Sequence, residues 1–457
     1  MGAGNRKVAI IGAGIAGLLT ALGLRKSGHQ VTLYSDRSPD DFMTKGPPTG
    51  TAARFPRSLA YDVALGVNHW DQQCPGIEGV SLAFGLKPVN RLVTLTGRLT
   101  APARAIDVRL LSARWMDDLE KRGGRVAIEP VSVERLDAIA AENELTIVAA
   151  GRKELAQLFP RNAERSVYDK PQRKLCLIVA RGLKMRFDKV PFSAVRFNLT
   201  ASEGEAFWVP FFHKSGDAET YNLLFEAKAG TKMDRFDDAK SGNEAIAIAK
   251  QVIKELAPWD SEWVDKMELA DEHGWLKGGV TPTVREPVGR LPSGRVVTAV
   301  GDTLMSLDPI AGQGANNGTR MARNLVEQID AATGPLDEAF IKATFEKYWS
   351  EQGQHHVRFN NALLEPLTMP GRYVLVSQYG SDGVRTDVPQ KIADAFVGNF
   401  DDPSRYTSTL FDSDASKKMI VEHGGSFPGS FIAGLAGVAR GQVRQAFGMR
   451  PGHPAHE

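Results

Sequence analysis

Two stretches nearly three hundred residues apart carry residue types that could hold a dinucleotide. Gly12-Ala13-Gly14-Ile15-Ala16-Gly17 stands near the start; Gly301-Asp302, followed by Asp308-Pro309-Ile310-Ala311-Gly312-Gln313-Gly314-Ala315-Asn316, stands beyond position 300. In the first, Gly12 permits a tight turn, Gly14 lets backbone N–H groups approach a pyrophosphate, and Gly17 allows close helix–strand packing. The N-terminus of the helix that opens there favours phosphate charge. In the second, the Asp302 carboxylate can accept hydrogen bonds from the hydroxyls of a sugar-alcohol chain. The helix that begins near Gly314 and Ala315 can then offer amides to the negative carbonyl edge of a reduced flavin. Either stretch alone also suits an ordinary strand–turn–helix junction. Together they predict one FAD site built from both ends of the chain.

Around these motifs, Ser35-Asp36-Arg37 ends the second strand of the opening unit, with Asp36 about 20 residues beyond the glycines. Asp36 suits an adenosine ribose and equally suits a strand cap. Arg104 and Arg109, in Ala101-Pro102-Ala103-Arg104-Ala105-Ile106-Asp107-Val108-Arg109-Leu110, sit at a helix start and could reach FAD phosphate or the ring edge, or form a solvated face. The nine histidines show no metal-ligand spacing, and we find neither a nucleophile elbow nor paired catalytic carboxylates. No metal is expected.

The elements that must position these residues follow from periodicity. Lys7 to Ile11 reads as a buried strand, Gly14 to Ser27 as a helix stopped by Gly28, and Gln30 to Tyr34 as a second strand. Residues 37–57, rich in Pro, Gly and Thr, predict a long functional loop. Ala105 to Lys121 is helical in pattern. Leu145 to Gly151 and Arg295 to Val300 are strands returning to the same sheet. Between about 165 and 285 the apolar segments Leu175–Val179, Ala206–Phe212 and Tyr221–Phe225 predict an inserted, mostly antiparallel sheet. The stretch 314–457 reads mainly as helix, and Phe431 to Ala439 as a packed one. The expected fold is α/β, with an FAD-binding part at 1–165, a substrate sheet lobe at 166–285, a second FAD-binding part at 286–330 and a helical region at 331–457.

Composition sets limits. A chain of 457 residues with 42% hydrophobic and 24% charged residues can bury a large core in two or three lobes. Its net charge of +2 gives no reason to expect nucleic acid or a membrane surface as partner. Cys74 and Cys176 are too few for a disulfide framework or a thiolate metal site. No apolar run approaches the ~20 residues of a spanning helix. A reduced, cytoplasmic protein is expected.

With these residues on the page, the chain resembles the FAD-dependent epoxidase component of two-component styrene and indole monooxygenases. The resemblance is most specific in Gly12 to Gly17 with Tyr34-Ser35-Asp36-Arg37-Ser38-Pro39-Asp40, in Ala101 to Leu110, in Lys170-Pro171-Gln172-Arg173 with Leu175-Cys176, and from Gly278-Gly279-Val280 to Asn316. It implies a p-hydroxybenzoate-hydroxylase-like fold. It also implies FAD that arrives reduced from a separate NADH-dependent flavin reductase and reacts with O₂ to a C4a-(hydro)peroxide. That species would epoxidise styrene or indole, or oxidise a sulfide. A homodimer is an expectation of the same kind. The flavin being the oxidant, no catalytic side chain is assigned.

Single-component relatives that use NADPH carry an Asp-Gly pair where this chain reads Ala150-Gly151-Arg152-Lys153. That absence supports the reductase-dependent reading over a self-sufficient NADPH-dependent hydroxylase. A halogenase is disfavoured by the lack of a Trp-x-Trp-x-Ile-Pro stretch. A non-catalytic flavin-binding partner is the reading from another class. The loop 44–57 departs from both styrene-type and indole-type sequences, so substrate identity is open. The substrate expectations are Thr49, Thr51, Phe207, Val209, Phe211 and Pro309.

Overall fold

The structure, a computed structural model, describes residues 5–49, 53–151, 153–183 and 192–446. The chain divides into two units and crosses between them repeatedly. One comprises residues 1–71, 106–171 and 280–354, the other residues 72–105, 172–279 and 355–457.

The first unit is built on a six-stranded sheet in the order Gly289–Arg290, Val296–Ala299, Leu145–Val148, Lys7–Ile11, Gln30–Ser35, Arg125–Ile128. All pairings are parallel except that of the edge strand Gly289–Arg290. Val8, Ala9 and Ile10 are fully buried, as a central strand covered on both faces requires. The helix Ile15–Lys26 follows the first strand and packs against Gln313–Ala331: a Cβ on Gly23 would lie 3.0 Å from a methyl of Val326. The expected strands at both ends of the sequence therefore lie side by side, Thr298 opposite Ile147 and Ile147 opposite Ile10.

The expectation of one long loop over 37–57 needs correction. Pro39–Thr44 is a helix with a capping box, Ser38 Oγ accepting from Asp41 N–H at 3.1 Å and Asp41 Oδ2 accepting from Ser38 N–H at 3.0 Å. A second helix, Pro56–Leu65, follows.

The second unit holds an eight-stranded sheet in which Glu268–Leu269, Lys174–Arg181, Thr220–Ala227, Gly204–Phe211, Ala194–Thr200, Ile77–Gly85 and Arg91–Ala103 are successive neighbours; Trp275–Gly278 also pairs with Lys174–Arg181. The inserted sheet is antiparallel apart from the parallel pair Ile77–Gly85 and Ala194–Thr200. Two of its strands come from residues 77–103, outside the segment read as the insertion. On one face Cys176, Ile178, Trp208, Leu223 and Phe225 pack against Ala245, Ala249, Val252 and Ile253 of the helix Gly242–Leu256. The C-terminal residues are helical as expected, including Met369–Ser377, Val388–Asp401, Ser413–Glu422 and Gly429–Ala446. The last of these packs through glycines and Phe431: a Cβ on Gly434 would lie 2.1 Å from the carbonyl of Val376 and Phe431 meets Tyr373 edge-on at 5.1 Å between ring centroids, while Ile432, Leu435 and Val443 are exposed. Among the described residues no helix is long and apolar enough to cross a membrane.

Candidate flavin site

Gly12 ends the first strand with φ +119°, and its N–H donates to the Tyr34 carbonyl at 2.9 Å. Gly17, one turn into the helix, presses against this bend: a Cβ there would stand 2.1 Å from Gly12 O. Gly14 is different. It is the N-cap, and a Cβ on it would meet nothing within 4 Å. The first turn of this helix carries no acidic residue, so its positive end is uncompensated by the protein.

Gly301 and Asp302 form a short 3₁₀ turn at the end of Val296–Ala299. A Cβ on Gly301 would lie 2.9 Å from Ala16 Cβ, so the second motif touches the first directly. Gly318 of the helix Gln313–Ala331 sits against the same methyl, at 3.3 Å for an added Cβ. The outcome is a cavity of about 460 Å³ lined by Gly12, Gly14, Ile15, Ala16, Asp36, Arg37, Thr49, Gly301, Asp302, Gly314 and Ala315, among others. That volume lies within the range of small-molecule sites.

Asp302 supplies the sharpest test of what fits. Its side chain is open to water through the mouth of the cavity yet surrounded by protein, and burial pushes its carboxyl above the usual carboxylate range. Among the described residues no protein group donates to it. A ligand bearing hydroxyls would meet that need. At the other end, Asp36 is exposed with Arg37 Nε 3.8 Å from its Oδ1, and Glu129 and Val131 line the same wall. An acid for a ribose, a bare helix N-terminus for a pyrophosphate and an acid for a ribityl chain thus share one cleft. The residues present fit FAD.

Several expected site residues have other work. Ser35 does not line the cavity: its hydroxyl donates to Arg37 O at 2.6 Å and accepts from Arg37 N–H at 3.2 Å, closing the turn that presents Asp36. Arg109 is corrected likewise. It is fully buried, paired with Asp107 at 2.7 Å and donating to Gly46 O at 3.3 Å, so it organises the loop after Pro39–Thr44 and does not line the cavity. Arg104 belongs to the second unit. Gly17, Pro309, Gly312 and Asn316 shape the site from behind. Pro309 opens a 3₁₀ turn that Asp308 caps, Gly312 closes it with φ +60°, and Asn316 is fully buried. Thr49 lines the flavin cavity, whereas Thr51 lies outside the described residues, as does Arg152. Phe207, Val209 and Phe211 share one face of a strand in the second unit, opposite to that of Trp208, with Phe207 stacked on Phe197 at 4.3 Å between ring centroids.

Cavity residues that sequence reasoning missed include Phe42, Val108, Ser112, Glu129, Ala149, Thr303 and Gly318. Thr303 donates to Ala150 O at 3.0 Å, tying the second motif to the strand end that lacks the Asp-Gly pair. Glu129 had a signal, being the residue after the strand that neighbours Gln30–Ser35.

The fold and this cleft define a flavoprotein of the p-hydroxybenzoate-hydroxylase-like class. Residues 151–262 match a family model described as "Styrene monooxygenase A putative substrate binding domain". The chain is 29% identical over 412 residues to styrene monooxygenase StyA of Pseudomonas fluorescens, an alignment spanning 88% of this chain and 94% of that protein. A second StyA, from Pseudomonas sp., matches at the same identity and coverage. The solved structure of the flavin-dependent brominase Bmp2 superposes with a TM-score of 0.58 at 14% identity, covering 95% of this chain and 99% of that one, a likeness of fold alone. The resemblance expected from the motifs is therefore found over most of the length: this chain is similar to the StyA styrene monooxygenases across 88% of its residues.

Proposed function

We propose that this protein is an FAD-dependent monooxygenase, the oxygenase half of a two-component system whose other half is an NADH-dependent flavin reductase. Its substrate is an aryl alkene of the styrene type, with indole and sulfides as further electron-rich acceptors. The observation that carries this reading is the convergence of Gly14 and Asp302 on one cavity in a chain aligned with StyA over 88% of its length.

Bound reduced FAD supplies the electrons that activate O₂, one oxygen atom passing to the double bond and the other leaving as water. The chain's own residues do the rest. The amides at Gly14 to Ala16 and the uncompensated helix end hold the pyrophosphate. Asp36 accepts from the ribose, and Asp302 accepts from ribityl hydroxyls while being held in place by the turn that Thr303 anchors. The helix Gln313–Ala331, which also lacks an acid in its first turn, offers its N-terminal amides to the negative edge of the reduced ring. Val108, Leu155 and Val300 give the cavity an apolar wall that would limit water around a bound flavin.

Purified protein given chemically reduced FAD, O₂ and styrene should form styrene oxide without any reductase, and should not oxidise NADPH when given oxidised FAD. Absence of oxygenated product across styrene, substituted styrenes and indole would overturn the reading. Rapid NADPH-driven reduction of the bound flavin would replace it with a single-component hydroxylase.

A further inference from the structure

The second unit contains a larger cavity that shares no lining residue with the flavin cavity. It measures about 570 Å³ and lies between one face of the eight-stranded sheet and the helices after position 360. Register defines its floor: Leu82 stands opposite both Phe197 and Leu95, and Phe84 opposite Leu199 and Val93. Leu375 and Phe400 come from the helices above. Leu82, Phe84, Leu199 and Leu375 all keep part of their surface accessible although helices cover the sheet here. Their accessible area faces the cavity they line.

The polar groups at its rim are already engaged. Arg173 and Glu205 are both buried and form a two-point ion pair at 2.7 and 3.1 Å, and Lys228 donates to the Ala201 carbonyl at 2.7 Å. A charged ligand would have to break such contacts in a poorly solvated place. The chamber is partly open to solvent, but its lining is mostly apolar, so water inside it would find few partners. Leu/Ile/Phe-lined cavities of about 150 Å³ already take up benzene. Phe197, fixed by its stack on Phe207, and Phe84 and Phe400 offer ring faces and edges.

We propose that this chamber binds a neutral aromatic hydrocarbon of one or two rings, giving the second unit a ligand site of its own. The ligand class rests in part on the aryl-alkene reading above, and the test is chosen so that the two can fail separately. Styrene binding is measured by headspace partition over protein loaded with oxidised FAD, so that no turnover occurs. Leu199→Trp fills the chamber from the sheet and Leu375→Trp fills it from the helices. Each should bind one styrene fewer per chain than the wild type while holding FAD equally well, and benzoate should not compete for the lost site. Wild-type stoichiometry in both variants, or competition by benzoate equal to that by styrene, would overturn the proposal. Should both variants fail to fold, wild-type crystals soaked with 4-bromostyrene decide: bromine anomalous density between Phe197 and Leu375 supports the site, and its absence there at full occupancy of any other site refutes it. Loss of one bound styrene in the variants with no epoxide formed by the wild type would sink the functional reading and leave this one standing.

Discussion

Asn316 ties Ala53 and Phe55 to the turn at Gly312. Its side-chain oxygen accepts from Phe55 N–H at 2.9 Å, and its amide donates to Ala53 O at 2.9 Å and to Gly312 O at 2.8 Å. The N-terminus of the helix Gln313–Ala331 therefore fixes the end of the 44–57 loop and the turn at Gly312 together. Asn316→Asp keeps the acceptor, loses both donations and sets a carboxylate against two carbonyls. We expect it to destabilise the fold by roughly 2–3 kcal/mol and to be no milder than Asn316→Ala. Chemical denaturation of both variants checks this; an Asp variant as stable as wild type would contradict the bracing role.

Asp302 sets stability against binding. Its folded-state carboxyl is raised by burial, so the folded protein holds that proton longer than the unfolded chain does. Stability of the FAD-free protein then declines as pH rises from the ordinary carboxylate range to the raised value, and is flat above it. Asp302→Asn removes this penalty and should raise the melting temperature of FAD-free protein at neutral pH. The same change should weaken FAD binding roughly 10–100-fold, by loss of a charged acceptor. Wild-type affinity should fall as pH is lowered through the raised value, while that of the variant stays level. Flavin fluorescence titrations over pH, with melting curves alongside, would show whether the two effects have opposite signs.

The glycines of the first motif divide by what surrounds them. Gly17→Ala forces a methyl to within 2.1 Å of Gly12 O and should lower the melting temperature markedly even without ligand. Gly14→Ala meets open space, so its melting temperature without FAD should match wild type while FAD affinity drops roughly tenfold. Equal loss of stability in both variants would contradict this division.

Arg54 and Asp62 are a buried pair, with Nη2 to Oδ1 at 2.6 Å and both side chains almost wholly inaccessible. Arg54 also lies over the Trp115 ring, its guanidinium carbon 5.6 Å from the centroid. Arg54→Met leaves an uncompensated buried carboxylate and should destabilise by about 3–5 kcal/mol. The double variant Arg54→Met/Asp62→Leu should recover much of that in urea denaturation. No recovery would mean that packing on Trp115, and not the charge, dominates.

What the sequence made legible was local. Lys7 to Ile11, the glycine helix and the strands near 145 and 296 announce themselves by unbroken apolar runs beside glycine turns, and the three strands fall in one sheet. The helix Pro39–Thr44 was hidden under a Pro- and Asp-rich composition, although Ser38 and Asp41 spell a capping box. The strands Ile77–Gly85 and Arg91–Ala103 lie outside the segment whose apolar runs predicted the inserted sheet. Gly97 is there because a Cβ would stand 2.5 Å from the carbonyl of Ala393 in a packed helix, a relation no local pattern encodes. Arg109 and Asn316 also contact Gly46, Ala53 and Phe55, which are distant in sequence, and only the folded chain shows which polar groups meet one another.

The central claim is that flavin held between Gly14 and Asp302 passes an oxygen atom from O₂ to an aryl alkene. It is tested most directly by a single turnover under ¹⁸O₂, with one equivalent of chemically reduced FAD and excess styrene. The account predicts styrene oxide carrying one ¹⁸O atom, with a yield per chain that collapses in Gly14→Ala. Unlabelled product, or no product with all the oxygen recovered as hydrogen peroxide, would contradict it.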